Sequence, residues 1–341
     1  MSNAMIGILL TLLIGILWTC VGVFYKMMAQ WKLSIFDISL VTCPATMLLT
    51  LLFYTKTGSF LSGELTLPDW TYVIYMIFAG GVNMGGCLIL QRSMLYGKSA
   101  VTWAIGQSAL IVPFLAITLI FAEPWSGLKI LGTLAILAGM IAFSGRNEAK
   151  DDDLPRARYG LILALIAFAV LGVAQTMLSG ASYLSYKDPG RIRPILSLIG
   201  SLFAVCIGKI ALKKRGFRLE RKALLLICLV LIQNALVTCI QFVAMDHLAA
   251  CRMNAVFFPF AIGVCIGGYA LCSVIFFKEK TTKLIRLGIL LILTGILMFC
   301  LSAAFGSRSS GRENAGKYNP ANSPPGFLSR EVEMFSRSGV Q

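Results

Sequence analysis

The chain has 341 residues, of which 57% are hydrophobic and only 13% are charged, and its formal net charge is +15. Because a soluble protein carries about a quarter of charged residues, this composition excludes a soluble enzyme and a nucleic-acid-binding protein. The class that remains is a multi-pass integral membrane protein, which we expect in the cell (inner) membrane.

Apolar runs long enough to cross a bilayer as a helix, about 20 residues, recur along the sequence. The ten runs cover residues 5–25, 33–54, 70–90, 99–121, 130–144, 159–183, 194–212, 223–245, 253–277 and 287–305. Runs such as 223–227 lack the alternation of apolar and polar residues that membrane β-strands show. The sequence therefore predicts an all-α integral membrane protein with ten transmembrane helices.

Two segments depart from this apolar composition. Residues 145–158 include three consecutive aspartates, and residues 306–341 are rich in Ser, Gly, Asn, Pro and charged residues. We interpret the first as a polar linker and the second as a disordered tail. The aspartate triplet has no second acidic cluster to complete a metal site, and the ten cysteines form no Cys-x-x-Cys pair. No metal or other cofactor is therefore expected.

The linker separates two copies of one pattern. Residues 123–143 and 279–299 are identical at nine of 21 positions, among them a leading glutamate and two glycines seven residues apart. We therefore predict two five-helix repeats, residues 5–144 and 159–305. Because each repeat has an odd number of spans, the second enters the membrane from the opposite side. Such inverted repeats enclose a substrate site near the bilayer midplane, which indicates a carrier.

The repeat unit resembles the EamA-type domain of the drug/metabolite transporter superfamily. The resemblance lies in a fourth helix that contains a proline, Pro113, and ends in Glu123, followed by a fifth helix with spaced glycines. The second copy departs from the first, because Pro259 lies 20 residues before Glu279 and Pro113 only ten before its glutamate. The resemblance implies a ten-helix transporter, and it favours amino acids or related metabolites as the substrate class.

Neutral polar side chains recur at helical spacing within several predicted spans. Asn234, Thr238 and Gln241 share one face of the eighth span, because their spacing is i, i+4, i+7. The residues that we predict to line a substrate cavity are Trp18, Asn83, Trp103, Gln107, Gln175, Asn234, Thr238, Gln241 and Asn254. In this set we expect the Trp103 ring to stack against the substrate and the Gln107 amide to orient the substrate by hydrogen bonding. The alternative for each stripe is hydrogen bonding between helices.

Charged residues are scarce within the spans. We assign Asp37 and Asp246 to the membrane interface. Glu123 and Glu279 precede the fifth and tenth spans, where the positive end of the helix dipole favours a carboxylate, so we predict a structural role for both. Lys and Arg are concentrated in the loops after the odd-numbered spans, above all in residues 213–222, which predicts that these loops are cytoplasmic.

The sequence thus predicts a secondary transporter, not an enzyme, that moves a small polar or amphipathic metabolite by alternating access. The alternatives are a non-transporting membrane sensor or scaffold and, less favoured, a membrane transferase acting on lipid-linked substrates. The transferase would require a cluster of His, Asp or Glu at a membrane face. Expected partners are the lipid bilayer and a small-molecule substrate, without nucleic acid. Gly81 and Gly85 allow close helix packing, either within a monomer or between the subunits of a homodimer.

Overall fold

The computed structural model describes residues 3–31, 33, 35–96, 99–144, 154–184, 186, 188–211, 221–275 and 283–313. The contacts divide the chain into a body, Met1–Ala303, and a second unit, Ala304–Gln341. All regular structure in the described ranges is helical, as expected of a chain in a bilayer, where a helix satisfies its own backbone hydrogen bonds.

The described residues form twelve α-helices. They are α1 (Asn3–Gln30), α2 (Ile35–Phe53), α3 (Thr57–Leu61), α4 (Trp70–Tyr96), α5 (Ser99–Gln107), α6 (Ile111–Ile120), α7 (Gly127–Ser144), α8 (Leu154–Gly180), α9 (Arg193–Ala211), α10 (Arg221–Ala250), α11 (Phe257–Ile275) and α12 (Lys283–Glu313). Within the described ranges, short 3-10 turns connect α5 to α6, end α8 and begin α11; they are Ser108–Leu110, Ala181–Tyr183 and Asn254–Val256.

Six helices of the described chain, α1, α2, α4, α8, α9 and α10, contain stretches long and apolar enough to cross a membrane. Large apolar side chains such as Leu119, Ile166 and Ile232 remain exposed on the body, which a soluble protein would bury. These features indicate a multi-pass α-helical membrane protein. Four shorter apolar stretches coincide with the remaining predicted spans; they are Ile105–Ile120, Gly127–Ala142, Asn254–Tyr269 and Arg286–Ser302.

Two helices extend into segments that were predicted to lie outside the two repeats. Helix α8 begins at Leu154, inside the predicted linker 145–158, and Pro155 fits there because the first turn of a helix needs no backbone N–H from it. The linker residues 145–153 lie outside the described chain. Helix α12 runs to Glu313, past the predicted end of the second repeat, because an established helix extends at little further cost. The predicted tail from residue 314 onward also lies outside the described chain.

The helices of the two halves pack against one another in a reciprocal way. Helix α1 packs against α10 and α11, and α8 packs against α4 and the α5–α6 pair. Likewise α2 packs against α10, and α9 packs against α4. The first helix of each predicted repeat therefore contacts the third and fourth helices of the other repeat, and the second helix contacts the third.

Helices α4 and α9 approach closely at glycines. A Cβ on Gly200 would overlap the carbonyl oxygen of Ile77, and a Cβ on Gly81 would lie 3.3 Å from the Gly200 oxygen. Gly85, the second glycine of the predicted pair, has nothing within 4 Å of its Cβ position. The close approach therefore uses Gly81 but not Gly85, because α9 crosses α4 one turn earlier.

The largest cluster of buried apolar side chains lies toward one side of the body. It includes residues from the beginnings of α1, α4 and α11 and from the ends of α8 and α10, among them Met76, Met245, Leu248 and Phe257. We call this side, at which α8 ends and α9 begins, the α8–α9 face, and the opposite side, at which α1 ends and α2 begins, the α1–α2 face. The α8–α9 face is therefore closely packed.

Candidate functional site

A cavity of about 290 Å³ lies among helices α1, α2, α4, α5, α8, α9, α10 and α11. Its volume is at the lower limit of pockets that bind small molecules, about 300 Å³. The lining residues of α1, α2, α4 and α5 come from the parts of these helices nearer the α1–α2 face, for example Met28, Ile35 and Gln91. Those of α8 and α9, for example Leu178 and Ser197, come from the parts of these helices nearer the α8–α9 face. The cavity therefore lies in the interior of the body, between the two faces.

All but one of the predicted site residues line this cavity. They are Trp18, Asn83, Trp103, Gln107, Gln175, Asn234, Thr238 and Gln241. The i, i+4, i+7 stripe of α10 faces the cavity as a unit, because those positions share one face of a helix. The fold thus brings together residues from α1, α4, α5, α8 and α10 that are far apart in the sequence.

Asn254, the remaining predicted residue, is not among the residues that line the cavity. Its side chain is fully buried, and its Nδ2 donates a hydrogen bond to the carbonyl oxygen of Ser179 at 2.8 Å. Its backbone N–H donates to Glu123 Oε1 at 2.6 Å. Asn254 begins the 3-10 turn that leads into α11, so it connects two helices instead of facing the cavity.

Glu123 has the structural role that we predicted, but at a different helix. The carboxylate accepts hydrogen bonds from the backbone N–H groups of Asn254, at 2.6 Å, and Ala255, at 3.1 Å, and from the Tyr183 hydroxyl. It therefore caps the 3-10 turn and helix α11, and not the helix α7 that follows it in sequence. The cause is the loop after α6, which carries Glu123 across to α11. Glu279 lies outside the described residues.

Helices α2 and α9 also line the cavity, although the sequence prediction left them out. They contribute Ser39 and Cys43 from α2 and Ser197 and Ser201 from α9. Each pair has i, i+4 spacing, which was a usable signal. It was missed because Ser and Cys also occur in apolar spans for packing alone.

Two amide oxygens in the cavity wall lack hydrogen-bond partners. Gln175 on α8 and Gln233 on α10 are each 6% exposed, and the Oε1 atom of each is buried without a partner. Buried polar atoms in proteins are nearly always hydrogen bonded. These oxygens are therefore candidates to accept hydrogen bonds from a bound molecule.

Aromatic rings form another part of the wall. The Trp18 ring stacks on Phe258, with a centroid distance of 6.2 Å and an interplanar angle of 19°. Trp103 lines the cavity from α5. Rings of this kind offer large flat surfaces for a planar ligand.

A buried ion-pair cluster lies at the α8–α9 face. Arg193, at the start of α9, is 1% exposed, and its guanidinium donates to Asp246 Oδ1 at 2.7 Å and to Ser182 Oγ at 3.3 Å. Its Nε lies 3.8 Å from Asp188 Oδ2. Asp188 accepts the backbone N–H of Ile192 at 2.6 Å. The cluster thus joins α9, α10 and the connection after α8.

The Asp188 carboxyl is in an environment that disfavours its charge. Burial raises the pKa of Asp188 above its ordinary value, although the backbone N–H of Ile192 and the Arg193 guanidinium act in the opposite direction. The Asp246 carboxylate also raises this pKa. The charge on Asp188 therefore depends on Arg193 as its counter-ion.

A second ion pair lies toward the α1–α2 face. Lys209 Nζ on α9 donates to Asp37 Oδ1 on α2 at 2.8 Å, and both side chains are partly exposed. Asp37 was predicted at the membrane interface, and a partly exposed pair near a helix end fits that environment. The pair connects the second helix of one predicted repeat to the second helix of the other.

Comparisons with known proteins show a shared fold and nothing more specific. No protein-family model matches the sequence, and no curated protein matches it. One solved structure, described only as a crystal structure of a protein, superposes with a TM-score of 0.66 at 12% sequence identity, covering 88% of this chain and 99% of that chain. At this identity the likeness concerns the fold alone.

Proposed function

We propose that the chain is a secondary transporter that moves a small polar or amphipathic metabolite across the cell membrane by alternating access. The observation that carries the proposal is the polar cavity of about 290 Å³, which helices of both halves build together inside an otherwise apolar body. Membership of the EamA-type transporters belongs to the proposal and is supported by the sequence pattern. The amino-acid substrate class follows from that resemblance.

An inverted repeat of five and five spans is part of this proposal. The reciprocal packing of the two halves supports it, and so do two glycine contacts between α7 and α12. A Cβ on Gly139 would lie 2.7 Å from the Gly288 oxygen, and a Cβ on Gly132 would lie 3.0 Å from the Gly295 oxygen. In the aligned repeats Gly132 corresponds to Gly288 and Gly139 to Gly295. Gly132 thus contacts the counterpart of Gly139, and Gly139 contacts the counterpart of Gly132. Such reciprocal contacts are expected of two repeats related by a two-fold axis.

The proposed transport cycle alternates between closure at the two faces. In the described conformation the Glu123 cap and the Arg193 cluster hold the α8–α9 face together, and the cavity lies between this face and the α1–α2 face. The loops at the α1–α2 face carry most Lys and Arg residues, which supports a cytoplasmic location for that face. Opening to the outside then requires these two hydrogen-bonded networks to separate, and closure at the α1–α2 face to replace them.

Transport by the purified protein in liposomes tests this function. A solute that raises the melting temperature of the protein is offered as a radiolabelled substrate, and we expect uptake into liposomes that carry the protein. Gln107→Ala removes one polar contact and is expected to weaken binding about fivefold, because a hydrogen bond to a ligand contributes about 1 kcal/mol.

Trp125→Ala is the matched control for this experiment, since Trp125 is exposed and is not among the lining residues. We expect it to leave uptake unchanged. Binding without uptake would favour the sensor over the transporter. Uptake that Gln107→Ala leaves untouched would place the substrate elsewhere.

A further inference from the structure

We propose that the cavity selects an uncharged planar heterocycle with N–H donors, of the size and chemistry of a free nucleobase. The inference rests on the proposed function, because it concerns the ligand of the same cavity. It departs from the amino-acid class that the sequence resemblance implies. Three features of the described residues carry it: the absence of charge in the lining, the unpartnered amide oxygens and the aromatic wall.

The cavity lining carries no counter-charge for an ionic ligand. Among the residues that the structure describes there, none is Asp, Glu, Lys, Arg or His. A buried ion needs a partner of opposite charge or several hydrogen bonds to offset the loss of its hydration. A zwitterionic amino acid would bring two such ions into the cavity. An uncharged ligand brings none.

Nearby groups that could hold a carboxylate are already occupied. Carriers with interrupted helices bind anionic groups at a helix N-terminus within the membrane, and the start of α11 would be such a place. Here the Glu123 carboxylate accepts the backbone N–H groups of Asn254 and Ala255 at that terminus. Arg193 is paired with Asp246 and is 1% exposed. Neither group is available to a carboxylate in the cavity.

The amide side chains favour a ligand that donates hydrogen bonds. The Oε1 atoms of Gln175 and Gln233 are buried without partners, and both residues line the cavity. A ligand with two N–H groups would satisfy both oxygens. An amide also presents a donor beside its acceptor, which matches the edge of a nucleobase; Asn and Gln read adenine in this way.

The aromatic side chains favour a flat ligand. Trp18, held against Phe258 by ring stacking, and Trp103 both line the cavity. Indole rings stack well on heterocyclic bases, whatever the base. A sugar offers O–H donors but no π face, and a cavity of about 290 Å³ excludes lipids and large drugs.

Binding of matched probes to the purified full-length protein tests the inference. The probes are uracil, its carboxylate orotate, 1,3-dimethyluracil, adenine, phenylalanine and glucose, and the readouts are quenching of tryptophan fluorescence and the rise in melting temperature. We expect uracil or adenine to bind at least tenfold more tightly than the other probes. Orotate is uracil with an added carboxylate and therefore carries a negative charge. 1,3-dimethyluracil is uracil in which methyl groups replace the hydrogens of both N–H donors.

Two variants test whether the heterocycle binds at the unpartnered amide oxygens. Gln175→Leu and Gln233→Leu are each expected to weaken uracil or adenine binding about tenfold while leaving the weak binding of 1,3-dimethyluracil unchanged. The melting temperature without ligand shows whether each variant is folded. The probe series uses the protein without substitutions, so it tests the ligand class even where a variant unfolds.

Tighter binding of phenylalanine, glucose or orotate than of the bases would overturn the inference, as would equal binding of 1,3-dimethyluracil or no binding of any probe. Uptake into liposomes tests the proposed transport function separately from the ligand class. Transport of phenylalanine that depends on Gln107 would retain the transporter and refute the nucleobase class. Base binding without uptake would retain the ligand class and refute the transporter.

Discussion

Replacing Arg193 with methionine is expected to lower the free energy of unfolding by about 3 kcal/mol, because it leaves a buried carboxylate without its counter-ion. The guanidinium is 1% exposed and faces two acids, Asp188 and Asp246. Asp188 is also nearly buried, and it stays at the start of α9 through the hydrogen bond from Ile192. The measurement is thermal unfolding in detergent, followed with a thiol-reactive dye that reports exposure of the cysteines.

The neighbours of Arg193 provide graded controls for this prediction. Asp246→Asn is expected to cost about 1 kcal/mol, because the Asn Oδ1 can still accept the Arg193 hydrogen bond and Asp188 remains as a counter-ion. Arg191→Gln should change stability by less than about 1 kcal/mol, since Arg191 is exposed and its guanidinium lies over the Tyr54 ring, at 5.0 Å. Equal losses in Arg193→Met and Arg191→Gln would contradict the buried cluster.

Glu123→Gln is expected to lower the free energy of unfolding by about 2 kcal/mol. Hydrogen bonds to a charged group contribute about 1.5–3 kcal/mol, and the carboxylate accepts three: from Asn254, Ala255 and Tyr183. Glutamine has the same size, but its side-chain NH2 group would face an N–H or O–H donor at a position where a carboxylate oxygen now accepts a hydrogen bond. It also removes the negative charge from the positive end of α11. Thermal unfolding in detergent measures the change.

Tyr183→Phe is the control for the Glu123 variant. It removes one hydroxyl donor and keeps the carboxylate, the two backbone hydrogen bonds and the ring stacked on Phe121. The expected loss is about 1 kcal/mol, the ordinary contribution of one hydrogen bond. If the glutamine variant were as stable as the unchanged protein, the carboxylate would not be the cap of α11.

Much of the cavity was predictable because helical periodicity places residues on faces. The spacing of Asn234, Thr238 and Gln241 predicted a common polar face of α10, and that face lines the cavity. The same reasoning did not predict the contacts of Asn254. Its partner Glu123 lies 131 residues away in the sequence, and no local spacing encodes a contact between two separate loops.

The contributions of α2 and α9 show a second limit of sequence-based reasoning. Ser201 lines the cavity, yet its hydroxyl also contacts the carbonyl oxygens of Ser197 and Gly80. A serine in an apolar span can therefore serve helix packing, a cavity or both, and its position alone does not decide between them. Arg193 lies just before the predicted span 194–212 and was not singled out, because its burial depends on Asp188 and Asp246 from other segments.

The most direct test of alternating access is sided labelling of Cys87, a partly exposed residue of α4 that lines the cavity. The other cysteines are replaced, and a membrane-impermeant thiol reagent is applied to either side of oriented vesicles. We expect labelling from the cytoplasmic side only in the otherwise unchanged protein. With Glu123→Gln, which weakens closure at the α8–α9 face, we expect labelling from the outside to increase and cytoplasmic labelling to fall. Equal access from both sides would indicate a channel, and access from neither side in both proteins would contradict a carrier.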